Sequence, residues 1–188
     1  MTAFTTEKID VEPWFDMELF MGVSQETRLG GDVMDRFMTL WKNWLPHLTV
    51  KGIDTGKIKY LLVALDESVE QDVDKAWEGS PSNAFLYNAL AQTMCMAAVH
   101  AVIPEVQDAG CAPAPKPTAT LREALEAEVT PYSNDKDPIL SRRYAVVTHY
   151  PFKGGCEICV LQSNCPKGQG QMEATSVVLP GYEHPQQM

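Results

Sequence analysis

Apolar residues recur at helical spacing through the first two thirds of the chain. They form stripes in residues 12–22, 30–46, roughly 54–78 and 80–104. In the third stripe the helical spacing of 3.6 residues per turn continues over so many residues that it favours one helix over a strand at 57–65. The fourth stripe is apolar nearly all round, which is typical of a central helix with neighbours on several sides.

Capping and β-branched residues complete the predicted elements. Ser80 caps the fourth helix, and a capping box from Thr120 to Glu123 begins a fifth. The β-branched segments 142–150 and 175–182 are strand candidates, and a cysteine-rich segment lies between them. The pattern predicts a mainly α fold, a bundle of about five helices with a small C-terminal β-hairpin that carries a cysteine loop.

The division of the chain follows its composition. Residues 1–110 are predicted to form a helical body, and residues 111–119 form a Pro-rich linker. Residues 120–188 then supply a helix, the hairpin and a metal-binding loop. We expect the three parts to pack as one compact domain.

Charge and cysteine usage narrow the class of protein. The chain carries 25 acids against 15 bases, a net charge of −10, so we expect no binding to nucleic acid or to an anionic membrane. Asn88, Gln92 and His100 interrupt the most apolar segment, which predicts a buried helix and no membrane span. An odd cysteine count without a visible secretory signal favours the cytoplasm.

The segment most indicative of chemistry contains three of the five cysteines. Cys156, Cys159 and Cys165 have the spacing Cys-x2-Cys-x5-Cys. Two thiolates separated by two residues converge on one metal or cluster. Gly154 and Gly155 precede them and let the backbone approach a bulky inorganic group. Cys95, in contrast, lies in the apolar fourth helix and is interpreted as a core residue.

This loop resembles the C-terminal iron–sulfur loop of endonuclease III and its relatives, which has the form Cys-x6-Cys-x2-Cys-x5-Cys. Its last three cysteines match those of the present chain, and its first falls on His149. The segment also looks like the cluster segment of Cas4-type nucleases, whose remaining cysteine lies far upstream. Pro166 follows the last cysteine, as proline often follows an iron–sulfur ligand. The resemblance covers residues 149–166 and implies a [4Fe-4S] cluster, without implying DNA repair.

Three possibilities stay open for the fourth ligand. His149 would replace one thiolate and change the net charge of the site from roughly −2 to −1, which favours reduction. Cys111 would reach the loop through the Pro-rich linker. In the third possibility, one iron is left open for a small molecule.

The sequence therefore predicts a cytoplasmic iron–sulfur protein that transfers electrons or serves as an accessory component of a redox system. Its expected partner is a redox protein, and a homodimer through the fourth helix is left open. The alternatives are a structural zinc site, a redox-enzyme maturation chaperone and a small cysteine- or metal-dependent hydrolase.

Overall fold

The chain folds into a four-stranded antiparallel sheet with helices on both faces. The computed structural model describes residues 4–134 and 138–165. The strands are β1 Thr5–Lys8, β2 Leu48–Asp54, β3 Lys59–Leu65 and β4 Ala145–His149. The helices are α1 Met17–Ser24, α2 Gly31–Trp44, α3 Glu67–Gly79, α4 Pro81–Val102, α5 Glu105–Ala109 and α6 Ala119–Ala127. Short 3-10 turns cover Leu45–His47, Cys156–Ile158 and Gln162–Asn164.

The strands lie side by side in chain order, β1-β2-β3-β4, and every neighbouring pair is antiparallel. A tight turn joins β2 to β3, where Gly56 has φ +77° and donates its N–H to Asp54 Oδ1 at 2.7 Å. This left-handed φ favours glycine. Tyr60 of β3 pairs directly with His149 of β4, which sets the register at the end of β4 nearest the cysteines.

The two faces of the sheet are covered by different layers. Helices α1 to α5 form one layer, and α6 covers the opposite face. Leu61 and Val63 of β3 pack into the cluster that includes the α2 residues Phe37 and Trp41. Leu62 packs instead into the α6 cluster. Strand β3 is therefore buried on both faces.

The expected fold class is wrong. A mainly α, all-helical bundle does not describe the chain, because six helices are combined with a four-stranded sheet in the described residues. The sheet also lies mostly in the N-terminal and middle parts of the chain, since β1, β2 and β3 all precede residue 66. The protein is a mixed α/β structure.

The error arises at the predicted helix 54–78. Its first part is the end of β2 and strand β3, and only α3 is helical. A strand covered on both faces is a continuous apolar run, and such a run matches helical spacing as well as strand spacing. Asp66 ends the strand and caps α3 by accepting a hydrogen bond from Ser68 N at 2.9 Å. This cap separates the two elements.

The expected C-terminal hairpin is also wrong. A strand does occupy residues 145–149, within the predicted segment 142–150, but β4 pairs with β3 and so joins the main sheet. The second predicted strand, 175–182, lies outside the described residues. The cysteine loop therefore follows an edge of the four-stranded sheet.

One helix-capping signal in the sequence is confirmed and one is wrong. Ser80 caps α4 as predicted, accepting a hydrogen bond from Asn83 N. The predicted capping box from Thr120 to Glu123 is wrong, because Thr118 caps α6 by accepting a hydrogen bond from Leu121 N and Thr120 lies inside the helix. Among the described residues, α4 alone has the length and apolar composition to span a bilayer, and half of its most apolar window is buried inside the protein. Such burial is what the core helix of a folded domain shows.

A substitution at Val63 distinguishes the observed strand from the predicted helix. Val63 is fully buried in β3, whereas a helix over 54–78 would place it opposite the apolar stripe. We expect Val63→Ala to lower the free energy of unfolding by about 1–3 kcal/mol, because it leaves a cavity. Urea denaturation measures this loss. The control Ile139→Ala, at a side chain 57% exposed, should change it by less than about 0.5 kcal/mol.

Candidate functional site

The cysteine loop consists of two consecutive 3-10 turns. In the first turn, Cys159 N donates a hydrogen bond to Cys156 O at 3.2 Å. In the second, Cys165 N donates to Gln162 O at 3.4 Å. Each turn brings the chain back on itself, so the three cysteines are held on one short, folded segment. All three side chains are half-buried.

Glycine is required at the entrance to this loop. Gly154 has φ +141°, a conformation that residues with a Cβ rarely adopt. A Cβ added there would also meet the carboxylate of Glu157, whose Oε1 accepts a hydrogen bond from Gly155 N at 2.9 Å. Hydrogen bonds from the backbone N–H groups of Glu157 itself and of Gly155 hold the pKa of Glu157 below its usual value, because they stabilise the charged form of the carboxylate. The loop thus begins with a turn that is closed by the side chain of Glu157, a residue of the loop itself.

The Pro-rich segment lies against this loop. Helix α5 ends at Gly110, which has φ +65°, and the chain then continues without helix or strand. Pro113 O accepts a hydrogen bond from Thr148 Oγ1 at 2.9 Å, and Ala114 O accepts one from Val160 N at 3.0 Å. The first donor belongs to β4 and the second to the cysteine loop. The linker is therefore attached to both.

This attachment brings a fourth cysteine to the other three. One small pocket, with a cavity volume of about 20 Å³, is lined by Cys111, Cys156, Cys159 and Cys165. The remaining lining residues are Ala109, Pro113, Gly155 and Gln162. The wall is almost entirely apolar apart from the sulfurs, and no ionised side chain lines it. The pocket is formed by two chain segments that the sequence separates by α6 and β4.

His149 is placed elsewhere. Its register opposite Tyr60 turns its ring towards the α6 face, where the two ring centroids are 5.4 Å apart. The neighbouring Thr148 points to the opposite face, towards the linker. His149 Nδ1 is buried without a hydrogen-bond partner in the described residues, and burial lowers the pKa of the imidazole. His149 is not among the residues that line the cysteine pocket.

Cys95 is a core residue, as the sequence analysis interprets it. Its side chain is 2% exposed, and Sγ donates to Tyr144 O at 3.5 Å. Burial raises the pKa of this thiol to about 12, so it stays protonated near neutral pH. It has neither the exposure nor the ionisation that a ligand or nucleophile needs.

A site for a single metal ion is not formed by the described residues. One tetrahedral zinc ion holds its thiolates roughly 3.8 Å apart, given Zn–S bonds of about 2.3 Å. Within residues 4–134 and 138–165, no group of three or more His, Cys, Asp or Glu side chains is arranged to hold a metal ion. The structural zinc alternative therefore has no preformed site in this part of the chain.

A serine–histidine–aspartate group on the surface has a different role from a catalytic triad. His47 Nδ1 lies 2.7 Å from Asp66 Oδ2 and 3.2 Å from Ser68 Oγ. In a triad the acid and the nucleophile contact opposite nitrogens of the ring. Here both contact Nδ1, and Asp66 caps α3. The group closes the junction between β3 and α3.

Sequence reasoning overlooks the residues that assemble the pocket. Thr148 and Val160 act through a side-chain hydroxyl and a backbone N–H, and neither leaves a motif. The one usable signal is the composition of the linker, whose prolines predict an extended segment able to carry Cys111 across the surface. Comparison of the chain with protein-family models, curated proteins and solved structures finds no match.

Replacing Gly154 should loosen the loop. We expect Gly154→Ala to destabilise it by about 1–3 kcal/mol, because alanine disfavours φ +141° and its Cβ displaces Glu157. Amide hydrogen exchange at Val160, whose N–H is bonded to Ala114 O, measures the effect. The control Gly22→Ala adds a Cβ in open space within α1 and should leave that exchange rate unchanged. Equal exchange in both variants would contradict the role assigned to Gly154.

Proposed function

We propose that this protein binds a [4Fe-4S] cluster through Cys111, Cys156, Cys159 and Cys165 and transfers single electrons. The observation that carries the proposal is that these four cysteines, from two distant segments, line one apolar pocket. Four cysteine thiolates are the usual ligands of such a cluster. The donor set and the lining of the pocket both fit it.

A cluster and one zinc ion hold four thiolates in different ways. Each thiolate of a [4Fe-4S] cluster binds a different iron, so the four sulfurs stand farther apart than around one ion. The four cysteines that share the pocket supply the donor set for such a cluster.

Cys111 is the better candidate for the fourth ligand. It lines the pocket, whereas His149 faces the α6 side of the sheet. With four thiolates the cluster would carry a net charge of roughly −2, which favours the oxidised form more than a site with one neutral histidine does. It would supply reversible one-electron transfer. Full ligation by protein leaves no open iron, so electron transfer is favoured over hydrolysis at the metal.

The residues that line the pocket would set the environment of a bound cluster. Ala109 and Pro113 give the pocket an apolar wall, and the polarity of such a wall influences the potential of a bound cluster. Gly155 lines the pocket without a side chain. Gln162 adds a polar side chain without adding charge.

The cluster can be tested by its composition. Protein purified without oxygen should be brown, with a broad absorption band at about 400 nm and about four iron and four sulfide per chain. Absorption spectroscopy and iron and sulfide analysis measure these values. A colourless protein with about one zinc per chain would contradict the proposal and support a structural site. A colourless protein without metal would contradict both.

The fourth ligand can be tested by paired substitutions. We expect Cys111→Ser to lower the iron content to about three per chain or fewer, since one iron loses its thiolate. His149→Gln should keep about four, because it removes the imidazole and leaves the four cysteines in place. Circular dichroism of both variants checks that the sheet stays folded. Loss of iron in His149→Gln alone would overturn the assignment of Cys111.

A further inference from the structure

We infer that the exposed segment Val160–Asn164 is the docking surface for a basic electron-carrier protein. This inference rests on the proposed function and names the partner that the same site would serve. One electron would leave the reduced protein and reduce one oxidised cofactor in the partner, and no bond or proton is transferred.

The segment has the composition of an interface. Its five residues, Val-Leu-Gln-Ser-Asn, are all exposed and carry no charge, although 21% of the chain is charged. Val160 and Leu161 are 39% and 38% exposed and form its apolar part. Protein interfaces combine an apolar centre depleted of charge with a polar rim. Gln162, Ser163 and Asn164 would supply the rim.

The position of the segment suits electron transfer. It is bracketed by the proposed ligands Cys159 and Cys165, so a partner seated on it is within a few bonds of a ligand sulfur. Electron transfer slows steeply with distance, and a partner docked at the opposite end of the protein would lose this advantage. The bond from Val160 N to Ala114 O also holds the segment against the linker that carries Cys111.

Charge indicates the kind of partner. Within the described residues 105–116 and 153–165, the exposed charged side chains are the acids Glu105, Asp108 and Glu157 and the bases Lys116 and Lys153. Lys167 follows Cys165 in the sequence, so acids and bases balance locally and the negative charge at the pocket would come from the oxidised cluster, at roughly −2. The whole chain has a charge of −10. A basic partner complements this field, which also speeds diffusional encounter.

The size of the segment predicts a weak, short-lived complex. Two partly exposed aliphatic side chains and three small polar neighbours are too few for a permanent interface. Electron-transfer complexes bury less than about 1,200 Å² in total. Fast dissociation is compatible with a carrier that has to leave after each electron.

The test removes the apolar contact without changing charge. In the Val160→Ser, Leu161→Ser double variant, reduced with dithionite, we expect the second-order rate constant for reducing a basic c-type cytochrome to fall about fivefold to tenfold. The Kd for the oxidised pair, measured by titration calorimetry at low salt, should rise by a similar factor. With hexaammineruthenium(III), a small oxidant that needs no docking surface, the rate should stay within about twofold.

Phe85→Ser is the matched control. Phe85 is 64% exposed in the first turns of α4, and at 1.5 Å per residue it lies roughly 25 Å from the C-terminal end of that helix, beyond which the chain continues to the pocket. This variant should keep the wild-type rate and Kd. An unchanged Kd in the double variant, or faster reduction of an acidic cytochrome than of a basic one, would overturn the docking surface alone. Absence of iron and sulfide from the wild-type protein would overturn the proposed function as well.

Discussion

Among the described residues, hydrogen bonds from β4 and from the cysteine loop attach the Pro-rich linker to the rest of the protein, and the candidate site depends on them. Thr148 Oγ1 donates to Pro113 O, and Val160 N donates to Ala114 O. Proline has no N–H to donate, so a proline-rich segment is held mainly through its carbonyl groups. Each such bond contributes about 0.5–1.5 kcal/mol. The linker therefore needs hydrogen-bond donors on neighbouring segments, and β4 and the cysteine loop provide them.

Because the linker is bonded to one face of β4, the face to which a β4 side chain points determines whether it approaches the cysteines. Neighbouring strand residues point to opposite faces of a sheet. Thr148 faces the linker and His149 faces α6, where it meets Tyr60. The pairing of Tyr60 with His149 fixes this alternation, and a shift by one residue would exchange the two faces. The orientation of His149 therefore follows from the register of β4 against β3, which is fixed because β3 is buried between the two helical layers.

The parts of the molecule that sequence could predict are those determined by local chemistry. The cap at Ser80, for example, is a contact within one turn of α4. Strand β3 could not be distinguished from a helix, because burial on both faces removes the alternation that identifies a strand. Spacing alone aligns His149 with the first cysteine of the endonuclease III loop, whereas the orientation of its ring is a property of the whole sheet. Cys111 could only be proposed, since its approach depends on donors far away in the chain.

The core of the protein is complete without the cysteine loop. Both buried clusters are built from the sheet and the helices, and none of residues 153–165 belongs to either. The loop is instead ordered by short turns, by Glu157 and by its bond to the linker. A chain of 188 residues can bury a stable core without a metal, so binding at the pocket would add local order more than global stability. The sheet then serves as a rigid base, and the pocket at its edge lies outside the core that keeps the protein folded.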